Sequence, residues 1–321
     1  MSALRDDAFS VDLHSHPALI PALASTTVDG HAKAIASGKV GAIVLAAVGD
    51  LPVLGLRETG GIYAAREPEP GELLASTWQQ LDFLAGSEPA LGLRPVLRAG
   101  DLAEAAAAKS RSGILAVEGC DFLEGRLERV QAAYDRSVRS LQLVHYRINE
   151  LGDIQTEPPR HGGLTPFGRE VVREMNRLRM LIDLAHAPFD VVKGAVDASD
   201  QPLTISHSAI QDATGFPRFV SFEHARLVTS HGGLIGAWPF SLTDPSFETF
   251  IEHIARLVDA VGVEHVAIGT DMDGTGPFGL FRNYAEWPTI PAALLARGFA
   301  PDDVAKIMGG NARRLLEAVL G

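Results

Sequence analysis

The sequence lacks several features that would place a protein in a class at once. It contains one cysteine in 321 residues, so no disulfide can form within the chain. No run of apolar residues reaches the roughly 18 that a transmembrane helix requires. No Gly-x-Gly-x-x-Gly motif follows the first predicted strand, which argues against a dinucleotide-binding fold. The first ten residues show neither an apolar segment nor a cleavage pattern, and we therefore expect a cytoplasmic protein.

The composition is that of a globular chain with a large core. Hydrophobic residues make up 46% of the sequence and charged residues 21%. The formal net charge is -12, which makes nucleic acid and anionic membrane surfaces unfavourable partners. We expect one domain that spans residues 1–321.

Short apolar runs alternate with amphipathic segments along the chain. The runs predict strands at 9–14, 41–48, 113–118, 138–145, 180–185, 202–206, 233–238 and 265–270. Helices are predicted at 28–37, 70–85, 101–109, 125–134, 165–179, 188–196, 221–229, 246–261 and 301–319. Eight strands that alternate with helices indicate a parallel sheet, and this number and length favour a closed (β/α)8 barrel. Residues 52–72 and 149–163 are rich in Gly, Pro and charge and are expected to be surface loops near the site.

Two histidines lie at and just after the end of the first predicted strand. His14 and His16 are two residues apart, after the apolar residues Val11 and Leu13. Alternate residues of a strand point to the same side, so both imidazoles can face one point. Imidazole nitrogens are common ligands of divalent metals, and the spacing therefore indicates a metal site. An ordinary turn with two histidines stays open on this motif alone.

Further polar residues follow other apolar runs, at the strand ends where a barrel places its active site. They are Glu118, His145, His186, His207 and Asp271. Each one alone can serve as a helix cap. Together with the first pair they form the donor set of a two-metal hydrolytic site.

The other histidines receive no functional role. His231 precedes the seventh strand and is expected to be structural, and Cys120 has no base in view and is not expected to be a nucleophile. The rest fall in helix or loop patterns and are expected to be solvated: His31, His161, His224, His253 and His265.

Longer motifs resemble the membrane (renal) dipeptidases, which are zinc peptidases among the amidohydrolase-type metal-dependent barrels. The most specific stretch begins Gly163-Leu-Thr-Pro-Phe-Gly-Arg-Glu and runs on to His186. Supporting stretches are Val117–Gly119, Ile205–Ser208, Gly269–Gly274 and Met308–Asn311. The resemblance covers nearly the whole chain and implies a (β/α)8 barrel with two zinc ions.

The resemblance also implies the metal ligands. His14 and His16 would bind the first zinc ion, and His186 and His207 the second. Glu118 would bridge the two ions. Other divalent ions stay open as alternatives.

The remaining roles come from the same resemblance. His145 is implied to contact the substrate and polarise the scissile carbonyl, and Arg218 to bind the substrate carboxylate. Asp271 is implied to handle the proton while a metal-bridging hydroxide attacks the peptide bond of a dipeptide. Tolerance of a D-residue at the C-terminal position is implied as well.

The sequence departs from the family pattern at three points. His16 stands where the family usually has aspartate, although imidazole and carboxylate bind zinc at similar distances. Phe219 follows Arg218 in place of asparagine, and Gly119-Cys120 follows Glu118 in place of Gly-Gly. The last two changes bear on substrate preference more than on catalysis.

Two other functions stay open beside a zinc dipeptidase. One is a related amide or lactone hydrolase on the same metal platform. The other is a non-catalytic metal-binding scaffold, for which Asp271 would be free to vary. Arg218 favours a substrate with a free carboxylate. We therefore expect a small dipeptide as the substrate and no nucleic-acid or membrane partner, and a homodimer stays open.

Overall fold

A computed structural model describes residues 9–58, 61–210 and 215–321. Its strands are β1 (Val11–Ser15), β2 (Ala42–Val48), β3 (Leu54–Leu56), β4 (Ile62–Ala64), β5 (Leu93–Pro95), β6 (Arg111–Glu118), β7 (Val138–Gln142), β8 (Leu181–Asp183), β9 (Thr204–Ile210), β10 (Phe219–Val220), β11 (Leu234–Ala237) and β12 (Val266–Ile268). Its α-helices are α1 (Val28–Gly38), α2 (Glu72–Leu91), α3 (Ala99–Ala107), α4 (Glu128–Asp135), α5 (Pro166–Arg177), α6 (Phe189–Ala198), α7 (Phe222–Ser230), α8 (Phe247–Val261), α9 (Thr289–Arg297), α10 (Pro301–Ala305) and α11 (Asn311–Leu320).

Eight of these strands close into a parallel barrel, which confirms the predicted (β/α)8 fold. The order around it is β9, β11, β12, β1, β2, β6, β7 and β8, and β8 pairs again with β9 through Asp183 and Thr204. All eight predicted strands are present, with shifted ends. The sixth shifts most, because β9 continues to Ile210 and holds His207 within it rather than beyond it.

Five elements of the described chain were missed by the sequence prediction. β3 and β4 form an antiparallel hairpin inside the stretch 52–72, which was predicted as a loop. β5 adds three residues beside β6, and β10 adds two beside β9. α9 was overlooked because Pro291 interrupts its pattern, although proline is tolerated in the first turn of a helix.

The predicted helix at 165–179 illustrates how local chemistry sets an element. The Thr165 side chain accepts a hydrogen bond from the Gly168 amide, and Pro166 occupies the first helical position. Val171, Val172 and Met175 form the buried face of α5. The predicted cap and helix are both confirmed.

The amino-terminal end of the barrel is closed by apolar packing. Helix α11 contacts β1, β8, β11 and β12. Its Leu315 and Leu316 belong to one buried cluster with Val11, Ala42 and Leu181, which begin or lie near the beginning of their strands. Polar side chains therefore concentrate at the carboxyl ends of the strands, where the candidate site lies.

Within the described part of the chain, no helix combines the length and the apolar composition that crossing a bilayer requires. The cytoplasmic location and the single domain over residues 1–321 stay predictions.

Candidate active site

The barrel brings the predicted metal ligands together around one carboxylate. Glu118 ends β6, and the Nε2 atoms of four histidines surround it. The distance to Glu118 Oε1 is 3.5 Å from His14, 3.3 Å from His186 and 3.6 Å from His207. His16 Nε2 lies 3.3 Å from Glu118 Oε2. These side chains come from four strand ends that are far apart in sequence.

Two groups of side chains have the arrangement of metal-binding sites. The first is His14, His16 and Glu118, and the second is Glu118, His186 and His207. Within each group the potential ligand atoms lie within 4.8 Å of one another, and every residue is buried. Glu118 belongs to both groups, which is the position of a bridging ligand.

Hydrogen bonds on the far side of two imidazoles direct the opposite nitrogen toward the centre. His16 Nδ1 lies 2.7 Å from the Ala46 carbonyl oxygen, so it donates there and leaves Nε2 for a ligand. His207 Nδ1 lies 2.9 Å from Ser206 Oγ, and its buried Nε2 has no hydrogen-bond partner among the residues described. A buried nitrogen without a partner is costly unless something else satisfies it, and a metal ion would do so.

The electrostatics of the cluster favour a cation at its centre. Burial raises the pKa of Glu118, but the nearby His145 and His14 outweigh it and hold that pKa well below its ordinary value. Burial, with the charge of Arg218 added, lowers the pKa of His186 well below the ordinary value and keeps this imidazole neutral, the form that binds metals. Burial lowers the pKa of His16, yet Asp271 and Glu118 raise it to about 10, so positive charge is stabilised at this point.

His145 stands beside the cluster and is held from behind. Its Nδ1 lies 2.7 Å from Asp50 Oδ1, and the second Asp50 oxygen accepts the Tyr146 amide at 3.0 Å. His145 Nε2 faces Glu118 Oε2 at 3.4 Å. Burial opposes protonation, but Asp50 and Glu118 outweigh it and raise the pKa of His145. The imidazole is thus oriented to donate from Nε2 into the site.

Asp271 lies in the segment after β12 and faces the first group. Its Oδ1 is 3.4 Å from His16 Nε2, and its amide donates to the His14 carbonyl at 2.9 Å. Its backbone has a φ of 53°, an uncommon value for a residue with a side chain. The position follows from hydrogen bonds between this segment and the end of β1.

Arg218 is a buried cation whose hydrogen bonds to the described residues include no carboxylate. Only 2% of the residue is exposed. One nitrogen, Nη1, donates to Gln155 Oε1 at 3.0 Å, whereas Nε and Nη2 are buried and have no partner in the described part of the chain. The guanidinium carbon lies 5.3 Å from the ring centroid of Trp238, which stacks on Phe240 at 4.0 Å. Burial lowers the pKa of Arg218, and an anion bound at the guanidinium would offset the cost of burying this charge.

Several residues of the site escaped the sequence reasoning. Asp50 follows β2 by two residues, so the strand-end rule that found Glu118 could have found it. Asp12 and Asp183 interrupt apolar strands, which is a signal in itself because a buried carboxylate needs partners. Asp12 accepts hydrogen bonds from the Thr270 amide and hydroxyl, and burial, partly offset by them, raises its pKa to about 6.

Tyr146 was missed as well, and no motif marks it. Its ring packs against His145 and His186, with centroids 4.5 and 4.8 Å away. Burial raises the pKa of its phenol to about 12, so the hydroxyl stays protonated next to the cluster.

The predictions for the other histidines were partly wrong. His161 is exposed as expected, and His231 and His265 are partly exposed. His31, His224 and His253 were expected to be solvated but are buried. His31 and His253 lie on the apolar faces of α1 and α8, so helical periodicity could have placed them inside.

The three departures from the family pattern have structural consequences. His16 joins the first metal group, and Phe219 is buried in β10. Cys120 is buried, and burial with the charge of Asp121 raises the pKa of its thiol well above the ordinary value. That agrees with the prediction that it is not a nucleophile.

Taken together, the fold and these groups define a parallel (β/α)8 barrel with a metal centre of histidines and a shared glutamate at the carboxyl ends of its strands. The model of the membrane dipeptidase family, peptidase family M19, matches residues 58–320, and the chain belongs to this family.

Relatives with curated descriptions agree with this assignment. Dipeptidase aclJ of Aspergillus oryzae is 30% identical over 215 residues, which cover 64% of this chain and 51% of that protein. Dipeptidase tcpJ of Claviceps purpurea is 30% identical over 258 residues, or 77% of this chain and 60% of that protein. The chain thus spans about half to three fifths of the length of these two relatives.

Solved structures share the fold over nearly the full length. A dipeptidase of metallopeptidase family M19 superposes with a TM-score of 0.83 at 20% identity and covers 98% of this chain and 99% of its own. A metallopeptidase of Rhodobacter sphaeroides, solved with a phosphinate mimic of the dipeptide L-Ala-D-Ala, gives 0.82 at 20% identity and covers 97% and 99%.

Proposed function

We propose that the protein is a binuclear zinc dipeptidase that acts on dipeptides with a free C-terminal carboxylate. The observation that carries the proposal is the shared carboxylate of Glu118 within two groups of buried histidines. Arg218 is buried and keeps two nitrogens without a partner among the described residues, which supplies the means to recognise an anionic substrate.

The spacing of the donor atoms supports zinc. Two atoms that bind one tetrahedral zinc ion at about 2.0–2.1 Å lie roughly 3.3 Å apart. His14 Nε2 and His16 Nε2 are 3.1 Å apart, and their distances to Glu118 are 3.5 and 3.3 Å. The second group matches as well, with 3.3 Å from His186 to Glu118 and 3.6 Å from His207. These spacings support the proposal that each group holds one ion.

Zinc ions in such a site would polarise a carbonyl and activate water at neutral pH. The protein contributes oriented groups around that chemistry. His145, held by Asp50, presents Nε2 toward the position of the scissile carbonyl oxygen and stabilises the negative charge that develops there. Tyr146 packs against the same ring and limits its rotation.

Asp271 is the proposed proton carrier. Its carboxylate is close to the first group, because Oδ1 is 3.4 Å from His16 Nε2. From this position it accepts the proton of the attacking water and returns it to the leaving amine. No nucleophile from the protein is required, which agrees with the raised pKa of Cys120.

Arg218 defines the substrate. A guanidinium with two free nitrogens can pair with a carboxylate in a bidentate manner. Trp238 and Phe240 line the space beside it and keep water from the pair. A longer peptide has no carboxylate at this point, so the arrangement selects dipeptides. The likeness to the Rhodobacter sphaeroides protein supports testing a D-residue at the C-terminal position.

A substrate panel tests the proposal. The zinc-loaded protein is assayed on L-Ala-L-Ala, L-Ala-D-Ala, the C-terminal amides of both, a tripeptide and a simple lactone, and bound metal is measured by elemental analysis. We expect about two zinc ions per chain and hydrolysis of one or both free acids, with the amides and the tripeptide much slower. Hydrolysis of the lactone or the amides alone would instead support the related amide or lactone hydrolase. A protein that binds the metals and hydrolyses no compound would support the scaffold.

A further inference from the structure

The segment after β12 holds two aspartates in an unusual backbone conformation. Asp271 has a φ of 53° and Asp273 a φ of 63°. Residues with side chains adopt this left-handed region only when their surroundings hold them there. Part of that support comes from β1, since the His16 amide donates to the Met272 carbonyl at 2.8 Å. Turn hydrogen bonds to the Asp271 carbonyl add to this support, and side chains contribute further contacts.

Asp273 has no role in the proposed chemistry, yet its carboxylate is buried and both of its oxygens accept hydrogen bonds. Its Oδ2 accepts the Ala18 amide at 2.9 Å and lies 2.7 Å from His31 Nε2. Its Oδ1 accepts the Ser25 amide at 2.9 Å. Asp273 is 5% exposed and His31 is 0% exposed. All three partners lie on the β1–α1 connection or on α1, so this carboxylate joins two segments that border the site.

The two joined segments carry a proposed metal ligand and the proposed proton carrier. The β1–α1 connection begins at His16, and the segment 270–274 presents Asp271 two residues before Asp273. A second buried carboxylate, Asp12, holds the start of the same segment through the Thr270 amide at 2.9 Å. The segment is thus fixed at both ends, with Asp271 between the two anchors.

We propose that Asp273 and His31 form a positioning pair that holds the Asp271 carboxylate against His16. This inference rests on the proposed function, in which Asp271 moves the proton. A donor from His31 keeps the Asp273 carboxylate turned toward α1, and the carboxylate in turn keeps the left-handed segment closed over β1. Loss of the pair leaves every proposed metal ligand in place and lets Asp271 move away.

The chain contains a matched control pair. Asp244 Oδ2 lies 3.0 Å from His253 Nδ1, and the Ile210 amide donates to His253 Nε2 at 3.1 Å. Both side chains are buried, as in the first pair. This pair joins the β11–α8 connection to α8 and to the end of β9. Disrupting this pair therefore measures the effect of losing a buried Asp–His pair that lies away from Asp271.

The experiment compares Asp273→Asn with Asp244→Asn in the zinc-loaded protein. An amide has one oxygen, so Asp273→Asn must turn its NH2 group toward either Ser25 or the pair of donors from Ala18 and His31. We expect kcat to fall by about 10- to 100-fold, the range for residues that orient a catalytic group. KM and zinc content should stay at the wild-type level. Asp244→Asn should lower the melting temperature and leave kcat unchanged.

Variants of His31 test the pair from the other side. His31→Gln retains a donor near the position of Nε2 and should retain most of the activity, whereas His31→Leu should match Asp273→Asn. Amide hydrogen exchange gives a second measurement that needs no activity. Exchange in residues 17–26 and 270–275 should rise in Asp273→Asn and His31→Leu and stay unchanged in Asp244→Asn.

The outcomes separate the two proposals. If the wild-type protein hydrolyses no dipeptide, the proposed function fails, and hydrogen exchange alone decides whether the pair holds the segment. If the wild type is active and Asp273→Asn affects kcat no more than Asp244→Asn, the positioning role is overturned. Loss of zinc in Asp273→Asn would overturn it too, because the pair would then support the metals rather than Asp271.

Discussion

At the scale of single residues, buried polar atoms without partners are the most informative feature of this protein. Among the described residues, Arg218 has two such nitrogens and His207 has one, and His207 Nε2 lies 3.6 Å from Glu118 Oε1. Burying these atoms is costly unless a ligand completes them. These buried nitrogens thus indicate that a cation and an anion would bind next to each other.

Replacement of Arg218 by methionine tests the anion. Arg218→Met removes the guanidinium and should cost on the order of 2–5 kcal/mol of transition-state binding for dipeptides, the range for truncating a buried charge pair. An amidated dipeptide has no anion and should lose little. The measurement is kcat/KM for the free acid and the amide.

A second buried arginine provides the control for that experiment. Arg139 is 6% exposed and donates to the carbonyl oxygens of Leu97, Tyr134 and Val138, so its guanidinium is satisfied within the protein. Arg139→Met should reduce stability and leave the ratio of free-acid to amide activity unchanged. Equal losses on both substrates in Arg218→Met would show that Arg218 does not bind the carboxylate.

Replacement of Glu118 by glutamine tests the bridge. A neutral amide cannot hold two cations together, so Glu118→Gln should lose nearly all activity and at least one zinc ion, while the barrel stays folded. Elemental analysis, turnover and circular dichroism measure the three effects. A variant with two ions and wild-type turnover would refute the bridging role.

At the scale of elements, the barrel strands carry the proposed metal ligands, and the segments that follow them position other groups of the site. The close packing of the segment after β12 illustrates this. A Cβ atom at Gly274 would lie 1.9 Å from Asp271 Oδ1 and 2.8 Å from His16 Cδ2. Glycine is required here because the Asp271 carboxylate occupies the space of a side chain.

The substitution Gly274→Ala should therefore displace Asp271. Because misplacing a reacting group by about 1 Å can cost roughly 100-fold in rate, we expect kcat to fall by about that factor. Gly86 in α2 gives the control, since no atom of the described residues lies within 4 Å of a Cβ built there. Gly86→Ala should keep full activity and gain about 0.5–1 kcal/mol of stability. Full activity in Gly274→Ala would mean that Asp271 has room to move and that its position matters little.

At the scale of the whole molecule, we expect the proposed metal centre to stabilise the fold that positions its ligands. The proposed ligands come from β1, β6, β8 and β9 or from the residues that follow them. Bound ions would cross-link these strands, and a ligand that binds only the folded state stabilises it. The opposite end of the barrel relies on α11 and apolar packing instead.

Removal of the metals should consequently reduce both activity and stability. After treatment with a strong chelator we expect no turnover and a melting temperature lower by several degrees, consistent with loss of a few kcal/mol of binding free energy. Added zinc should restore both. The Glu118→Gln variant serves as the control, because its melting temperature should respond less to the chelator. An unchanged melting temperature and full turnover without metal would contradict the metal-dependent mechanism.

The sequence was sufficient for the architecture and for the donor set. Short apolar runs that alternate with amphipathic segments predicted all eight barrel strands. This was possible because the side-chain pattern of a strand can be read from the local sequence. The rule that barrel sites lie at the carboxyl ends of strands then selected Glu118, His186 and Asp271 without knowledge of their contacts. The short hairpin of β3 and β4 was missed because three-residue strands show little periodicity.

Only the tertiary structure could decide which polar groups pair and which remain free. His31 and Asp273 are 242 positions apart, and His145 and Asp50 are 95 apart, so no local pattern relates them. The sequence by itself determined the barrel and the residues that can bind metal, because both follow from periodicity and residue type. The structure decided which nitrogen of each imidazole faces the centre and that two nitrogens of Arg218 are buried without a partner among the described residues, because burial and hydrogen bonding arise only where distant segments meet.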